Sequence, residues 1–328
     1  MLWNLTLSKV TVVSHPIQGL VKYHGLREPA KRIPFHDSIS VCIEGLSTRT
    51  TVEVVEDVVR DSIRINGSVP KGMERRRVEL VLNRLREIAG IRCGFRVSSQ
   101  NSVAEGKGLG FSSSGFSALG LAAVEALGLK LDSISLQEIV RLGSGSATRS
   151  LAGGFAIWYA NRNGKSYAEM LASPEDVHLT MVVVPLADRM ITDSIHKEIT
   201  TSPFFRARLK ALPKIIESMK KAILNDDVSR IGRLAEQDSL SLHAVTMTTK
   251  KGWILMKPKT IQVIKEVKKL RSKGINAWFS LDTGPSVFIN THPENAVEIS
   301  KHIETALGLK TVISDAGGPP QFSNDHLF

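Results

Sequence analysis

The chain is poor in several features that would have placed it quickly. Its 328 residues hold two cysteines, Cys42 and Cys93, with neither a CxxC pair nor metal-ligand spacing. That excludes a disulfide framework and a cysteine-zinc module, and leaves two isolated thiols that read as reduced core residues. Aromatic residues make up 5% of the sequence and the basic residues are dispersed, a combination unsuited to a stacking platform for single-stranded nucleic acid. No window approaches the ~20 apolar residues of a membrane span. The opening run from Met1 to Val13 lacks the basic end and apolar stretch of an export signal. The expectation is a cytoplasmic protein with no membrane and no nucleic-acid partner. Internal repeats and low-complexity tracts are also missing.

What remains is a chain with 42% hydrophobic residues, enough to bury a substantial core and long enough for two domains. The formal charge of +11 favours anionic partners, phosphorylated metabolites among them. The densest basic run, Arg75-Arg76-Arg77, opens a segment with Val78, Val81, Leu85 and Ile88 at helical spacing. It reads as the solvated first turn of an amphipathic helix.

Strand-like runs at Thr11 to Val13, Ile39 to Ile43, Thr51 to Val55 and Cys93 to Ser98 alternate with helical ones, the habit of α/β or α+β layers. Further on, Leu179 to Val184 reads as a buried strand. Ala211 to Leu224 and Thr260 to Leu270 read as amphipathic helices, and Ala277 to Leu281 and Ser286 to Ile289 as strands around a turn. The loop through Glu175 divides the chain into expected domains 1–177 and 178–328.

Three segments carry chemistry. Gly106 to Gly115 is a Gly/Ser-rich loop ahead of a small-residue helix; glycines let amides converge on one point and the helix N-terminus adds partial positive charge, which suits a phosphate. It lacks the Lys-Ser/Thr ending of P-loop nucleotidases, so a plain connector stays open. Gly143 to Phe155 concentrates hydroxyls around Arg149, groups that hold a phosphate or carboxylate bidentately or else form a helix cap. Phe279 to Ile289 places Asp282 at a strand end before a Gly-Pro turn, a position for a turn cap or a catalytic carboxylate.

Together with Lys22-Tyr23-His24-Gly25 and His36 to Val41, the Ser144-Gly145-Ser146-Ala147-Thr148-Arg149-Ser150 and Asp282-Thr283-Gly284-Pro285 runs resemble the diphosphomevalonate decarboxylase family over nearly the whole chain. The resemblance implies the α+β two-domain fold of the galactokinase, homoserine kinase, mevalonate kinase and phosphomevalonate kinase superfamily. An N-terminal ribosomal-protein-like α/β domain would precede a C-terminal ferredoxin-like one. It also implies Asp282 and Lys22 as catalytic residues, and Gln18, Tyr23, Ser144, Ser146 and Arg149 around the substrate. Gly108, Gly110, Ser112 and Ser113 would form the phosphate loop. No protein-bound metal is implied, and a homodimer is the default for such an enzyme.

Finer features bear on the substrate. His15 to Gly25, Asp238 to His243 and Gly252-Trp253 look more like the archaeal phosphomevalonate decarboxylases. Where diphosphate enzymes carry Trp-Gly-Lys after the tyrosine, His24-Gly25-Leu26 stands here, which points to a 5-monophosphate. In the loop, Val103-Ala104 replaces a proline, Glu105 adds a carboxylate and Phe111 occupies a serine position. A benzyl group and a negative charge both oppose a triphosphate. The expectation is therefore a mevalonate 3,5-bisphosphate decarboxylase that forms isopentenyl phosphate without ATP. The alternatives are an ATP- and Mg²⁺-dependent phosphomevalonate decarboxylase, a kinase that stops at 3-phosphorylation and, from another class, a basic nucleic-acid-binding module.

Overall fold

The computed structural model describes residues 9–55, 60–103, 109–186 and 192–328, with main chain only at 192–194. The first half runs β1 (Val10–Ser14), β2 (Ile17–Val21), β3 (Leu26–Glu28), β4 (Ile33–Pro34), β5 (Ser38–Cys42), β6 (Thr48–Val55) and β7 (Ser62–Ile65). Then come α1 (Gly72–Ala89), β8 (Gly94–Asn101), α2 (Phe111–Ala126), α3 (Ser133–Gly143), α4 (Ala147–Ala152), β9 (Phe155–Arg162) and β10 (Lys165–Ala172). The second half comprises β11 (Thr180–Val184), α5 (Thr192–Glu198), α6 (Phe205–Leu224), α7 (Val228–Met247), α8 (Pro258–Ser272) and β12 (Ala277–Ser280). It continues with β13 (Val287–Thr291), α9 (Pro293–Leu307), β14 (Val312–Ser314) and β15 (Gln321–Ser323).

Two sheets build the first half, in the orders β15-β1-β6-β8-β7 and β10-β9-β5-β2. The third sheet, β12-β13-β11-β14, is antiparallel, with α8 and α9 against it. Its β-α-β-β-α-β succession is the ferredoxin-like arrangement. β11 is buried throughout and apolar from Met181 to Val184, as suits a strand covered on both faces.

Local chemistry accounts for the elements around the site. In α1, Val78, Val81, Leu82 and Leu85 form the buried stripe, Arg75 pairs with Glu79 one turn on, and Gly90 closes the helix at φ 65°. α2 is buried on nearly all sides because its residues are small, and α3 packs against it at close range. A Cβ on Gly120 would come within 2.2 Å of Val140, and one on Gly143 within 2.1 Å of Phe116.

Three features of the fold bear on the sequence reading. The helix expected from Ala211 begins six residues earlier, at Phe205, and continues through Pro213. A proline near a first turn looks like a helix start, yet packing of Phe205, Arg208, Leu212 and Ile216 carries the helix through it. The expected boundary near residue 177 falls between β10 and β11, but one apolar cluster spans both halves, joining Leu20, Ile39 and Phe155 to Leu212, Met219 and Phe288. Finally, β15 returns from the far end of the sequence to pair with β1. Cys42 and Cys93 are buried and unbridged. No helix of the described residues is long and apolar enough to cross a membrane.

Candidate active site

One cleft of about 830 Å³ runs between the halves. At one end it meets Gly19 and Lys22 from β2 and its continuation, Asp282 from the β12–β13 turn, and Arg149 from α4. It passes Gly110 and Ser112 at the N-terminus of α2, and ends among Ile63, Met73, Val78, Val97 and Leu119.

The charged end is built on strand termini. Asp282 accepts the Gly19 amide on both carboxylate oxygens, at 3.2 and 3.3 Å. The Lys22 ammonium donates to Gly19 O at 2.7 Å, Ser280 Oγ at 2.8 Å and Ala235 O at 3.4 Å. Burial pushes the lysine below its usual range, against the pull of Asp238 and Asp282. A carboxylate beside an ammonium would ordinarily be held ionised. Lys22, the Gly19 amide and Arg149 do pull in that direction, but burial outweighs them and the carboxyl titrates above its ordinary value.

Arg149 is almost wholly buried, and its partners are hydroxyls: Ser38 Oγ at 3.1 Å and Ser146 Oγ at 3.4 Å. Its guanidinium faces the rings of Tyr23 and Trp158 at 5.4 and 5.8 Å, and among the described residues its Nε has no hydrogen-bond partner. Burial lowers its pKa to about 10. A buried cation held by neutral hydroxyls and ring faces is prepared for an anion. Tyr23 meets Trp158 edge-on at 5.0 Å and stacks on His196 at 5.0 Å. Ser144 and Ser112 bring their hydroxyls to 3.4 Å across the cleft.

The structure thus gathers Asp282, Lys22, Tyr23, Ser144, Ser146, Arg149, Gly110 and Ser112 around one cleft. It does not bring in Gln18 or Ser113. Successive residues of a strand face opposite ways, so with Ile17 and Gly19 toward the cleft, Gln18 turns inward and donates to Asn290 Oδ1 at 3.0 Å. Ser113 donates to Gly110 O at 2.7 Å and accepts the Ile17 amide at 3.3 Å, tying α2 to β2. Gly108 and Glu105 lie outside the described residues. Phe111 flanks the cleft, but it also packs with Val103 against the apolar cluster that spans the halves. Its ring thus stands between the cleft and the core. Arg77, expected as part of a solvated turn, lines the cleft.

Sequence reasoning missed Asp238, Arg208, Ser280 and His196. A signal existed for two of them. Asp238 falls in the buried stripe of α7 with Ala235, Ser239 and Leu242, and Arg208 in that of α6 with Phe205 and Leu212. A charge in an apolar stripe is rarely solvated.

The fold and the cleft define a member of the galactokinase, homoserine kinase, mevalonate kinase and phosphomevalonate kinase superfamily. Residues 14–168 match the diphosphomevalonate decarboxylase-like N-terminal domain, and residues 188–321 the mevalonate 5-diphosphate decarboxylase C-terminal domain. The chain belongs to the diphosphomevalonate decarboxylase family. It is 38% identical over 315 residues to the phosphomevalonate decarboxylase of Haloferax volcanii, covering 95% of this chain and 97% of that protein. The mevalonate diphosphate decarboxylase of Staphylococcus aureus superposes with a TM-score of 0.89 at 28% identity, over 96% of this chain and 98% of that one. The mevalonate diphosphate decarboxylase of Enterococcus faecalis, for which ATP binding mediated by mevalonate diphosphate is described, gives 0.89 at 27% identity, over 97% and 99%.

Proposed function

We propose that the protein is an ATP-dependent phosphomevalonate decarboxylase that converts 5-phosphomevalonate to isopentenyl phosphate. The observation that carries this reading is the continuity of the cleft. Its charged end suits a small phosphorylated carboxylic acid, and the space continues across the α2 N-terminus into an apolar compartment with Asn66, Ser99 and Asn101 on its wall. A volume of about 830 Å³ stands near the top of the range for small-molecule sites, ~300 to 1,000 Å³. It is larger than a six-carbon acid needs. Amides and partial charge at the start of a helix suit phosphates, and the apolar end suits a purine. The Haloferax relative, a phosphomevalonate decarboxylase, and the His24-Gly25-Leu26 sequence favour a monophosphate at the 5-position.

In this reading the nucleotide supplies the phosphoryl group that turns the substrate's 3-hydroxyl into a leaving group. Asp282 sits where it takes up the hydroxyl proton, and burial, which raises its pKa, makes it a better proton acceptor than a solvated carboxylate. As the C3–oxygen bond breaks, its electrons leave on the phosphate, and Lys22 and the α2 amides stabilise that charge. The carboxylate departs as carbon dioxide and its bonding pair forms the alkene. Passing its proton to the leaving phosphate returns Asp282 to a carboxylate that stabilises the electron-poor C3, while Arg149, Ser144 and Ser146 hold the substrate's anionic groups. Among the described residues there is no cluster of three metal-ligating side chains. A magnesium ion carried on nucleotide phosphates needs none.

The expectation of a nucleotide-free reaction loses support, because a family relative binds ATP. The deciding experiment measures carbon dioxide and phosphate release from 5-phosphomevalonate, its diphosphate and mevalonate 3,5-bisphosphate, each with and without ATP. Release from the monophosphate only with ATP supports the proposal. Release from the bisphosphate without nucleotide, and none from the monophosphate, overturns it.

A further inference from the structure

Lys22 follows β2, the edge strand of its sheet, so no strand is available on the outer side to take up its main-chain groups. A buried amide and carbonyl there need partners from elsewhere. Two side chains from two helices supply them. Asp238 of α7 accepts the Lys22 amide on Oδ2 at 2.8 Å, and Arg208 of α6 donates from Nη2 to the Lys22 carbonyl at 3.0 Å. The two side chains also form an ion pair at 2.8 Å, with exposures of 0% and 2%. Arg208 is fixed further by Ser241 Oγ at 2.9 Å.

A pair of this kind is a poor device for stability, because the cost of removing two charges from water roughly cancels their attraction. Two apolar residues in the same helical stripes would pack as well. What an apolar pair could not do is grip both main-chain groups of one residue.

We propose that Asp238 and Arg208 are positioning residues, a buried clamp that fixes the backbone of Lys22 and so aims its ammonium into the cleft beside Asp282. The side chain leaves little freedom once the backbone is held. Its ammonium already has Gly19 O, Ser280 Oγ and Ala235 O as partners, and a Cβ on Gly19 would come within 2.8 Å of Lys22 Cγ. The clamp also sets the field at the lysine. Asp238 from α7 and Asp282 from the β12–β13 turn favour the charged ammonium, while Arg208 from α6 and Arg149 from α4 oppose it. His243 from α7 also senses the Lys22 charge. Asp238 is the largest of the favourable influences and offsets part of the burial that drives the lysine toward neutrality. One carboxylate thus orients the lysine and helps to keep it protonated.

The inference rests on the proposed function for its kinetic readout, and has a second readout that does not. Lysine labelled at Cε lets the Lys22 titration be followed by NMR in the intact protein. In Asp238→Asn the amide can still find an oxygen while the charge is gone. Lys22 should then titrate at least about one pH unit lower than in the wild type, a tenfold weaker hold on its proton. The alkaline limb of kcat should move with it, kcat should fall by about tenfold or more and KM should change by less than about threefold. Arg208→Lys keeps a cation beside Asp238 and loses the forked contact. It should lower kcat by about three- to tenfold and leave the Lys22 titration nearly in place.

A folded Asp238→Asn protein with wild-type kcat and an unmoved Lys22 titration overturns the clamp. If that variant does not fold, Arg208→Lys decides, and undiminished kcat there overturns it. Should the wild-type protein decarboxylate no phosphorylated mevalonate at all, the proposed function fails, and the Lys22 titration still decides the clamp.

Discussion

The amide of Gly19 donates to both oxygens of Asp282, at 3.2 and 3.3 Å, which places a β2 glycine directly under a carboxylate of the β12–β13 turn. A Cβ at this position would lie 3.0 Å from Asp282 Oδ1 and 2.8 Å from Lys22 Cγ. Gly19→Ala should therefore displace both groups, reducing kcat by about two orders of magnitude and stability by about 1 to 3 kcal/mol. Steady-state kinetics beside a denaturant titration checks both. An alanine variant with ordinary kcat would mean that the two charged groups need no such close register.

Asp282→Asn should abolish nearly all turnover, a loss on the order of 10² to 10³, while leaving thermal stability equal or higher. The sign follows from burial. Since the carboxyl's pKa is raised in the folded protein, its charge at neutral pH opposes folding, and removing that charge relieves the strain. Calorimetric melting with single-turnover assays is the measurement. Lower stability with preserved turnover would make Asp282 a turn residue.

For Arg149→Lys, substrate affinity measured by calorimetry should drop by about tenfold or more, because an ammonium cannot span Ser38, Ser146 and a bound anion at once. Equal affinity would reduce the hydroxyl-rich segment to a helix cap.

Acid should weaken the fold through its buried imidazoles. Burial lowers His36 and His243 to about 4, and His24 well below its ordinary value. The unfolded chain binds protons at these sites from about pH 6.5 downward and the folded one does not. Stability is thus full above that value and lost as pH falls toward 4, on the order of 3 kcal/mol for each of His36 and His243. Urea midpoints at pH 7.0, 5.5 and 4.5 should fall accordingly, and His36→Asn should flatten the trend. An unchanged slope in that variant would place the acid sensitivity elsewhere.

Phe111→Ser tests the nucleotide question from the protein side. Because the ring packs with Val103 against the shared cluster, its loss should cost about 1 to 2 kcal/mol of stability. The KM for ATP should change by less than about threefold. A large gain in ATP affinity would restore Phe111 as an obstruction.

Much of the site could be read in the sequence because local chemistry narrowed its segments to a few readings and the family resemblance chose among them. Asp282 stands at a strand end before a Gly-Pro turn, and Ser144, Ser146 and Arg149 lie in one short hydroxyl-rich run at the start of α4. What escaped was tertiary. Gln18 and Gly19 are neighbours, and which of them faces the cleft depends on the phase of β2, which the motif alone does not give. Ser112 and Ser113 divide in the same way. Arg208 meets the Lys22 backbone from 186 positions away, a distance at which only the packed fold can reveal a partnership. α6 starts six residues before Ala211 because Phe205 and Arg208 pack along the same buried stripe, a partnership that local periodicity does not show.

The pairing of β15 with β1 means that the sheet of the first half is completed by residues more than 300 positions further along the chain. As the chain leaves the ribosome, β1 stays an open edge until almost all of the ferredoxin-like half has been synthesised, because Gln321–Ser323 follow it in order. Gly153 and Pro319 are then pressed together so closely that a Cβ on the glycine would lie 2.3 Å from the proline nitrogen. The end of the chain is thereby tied back to its beginning, so a proteolytic cut between β14 and β15 would unseat the edge of the sheet that holds β1.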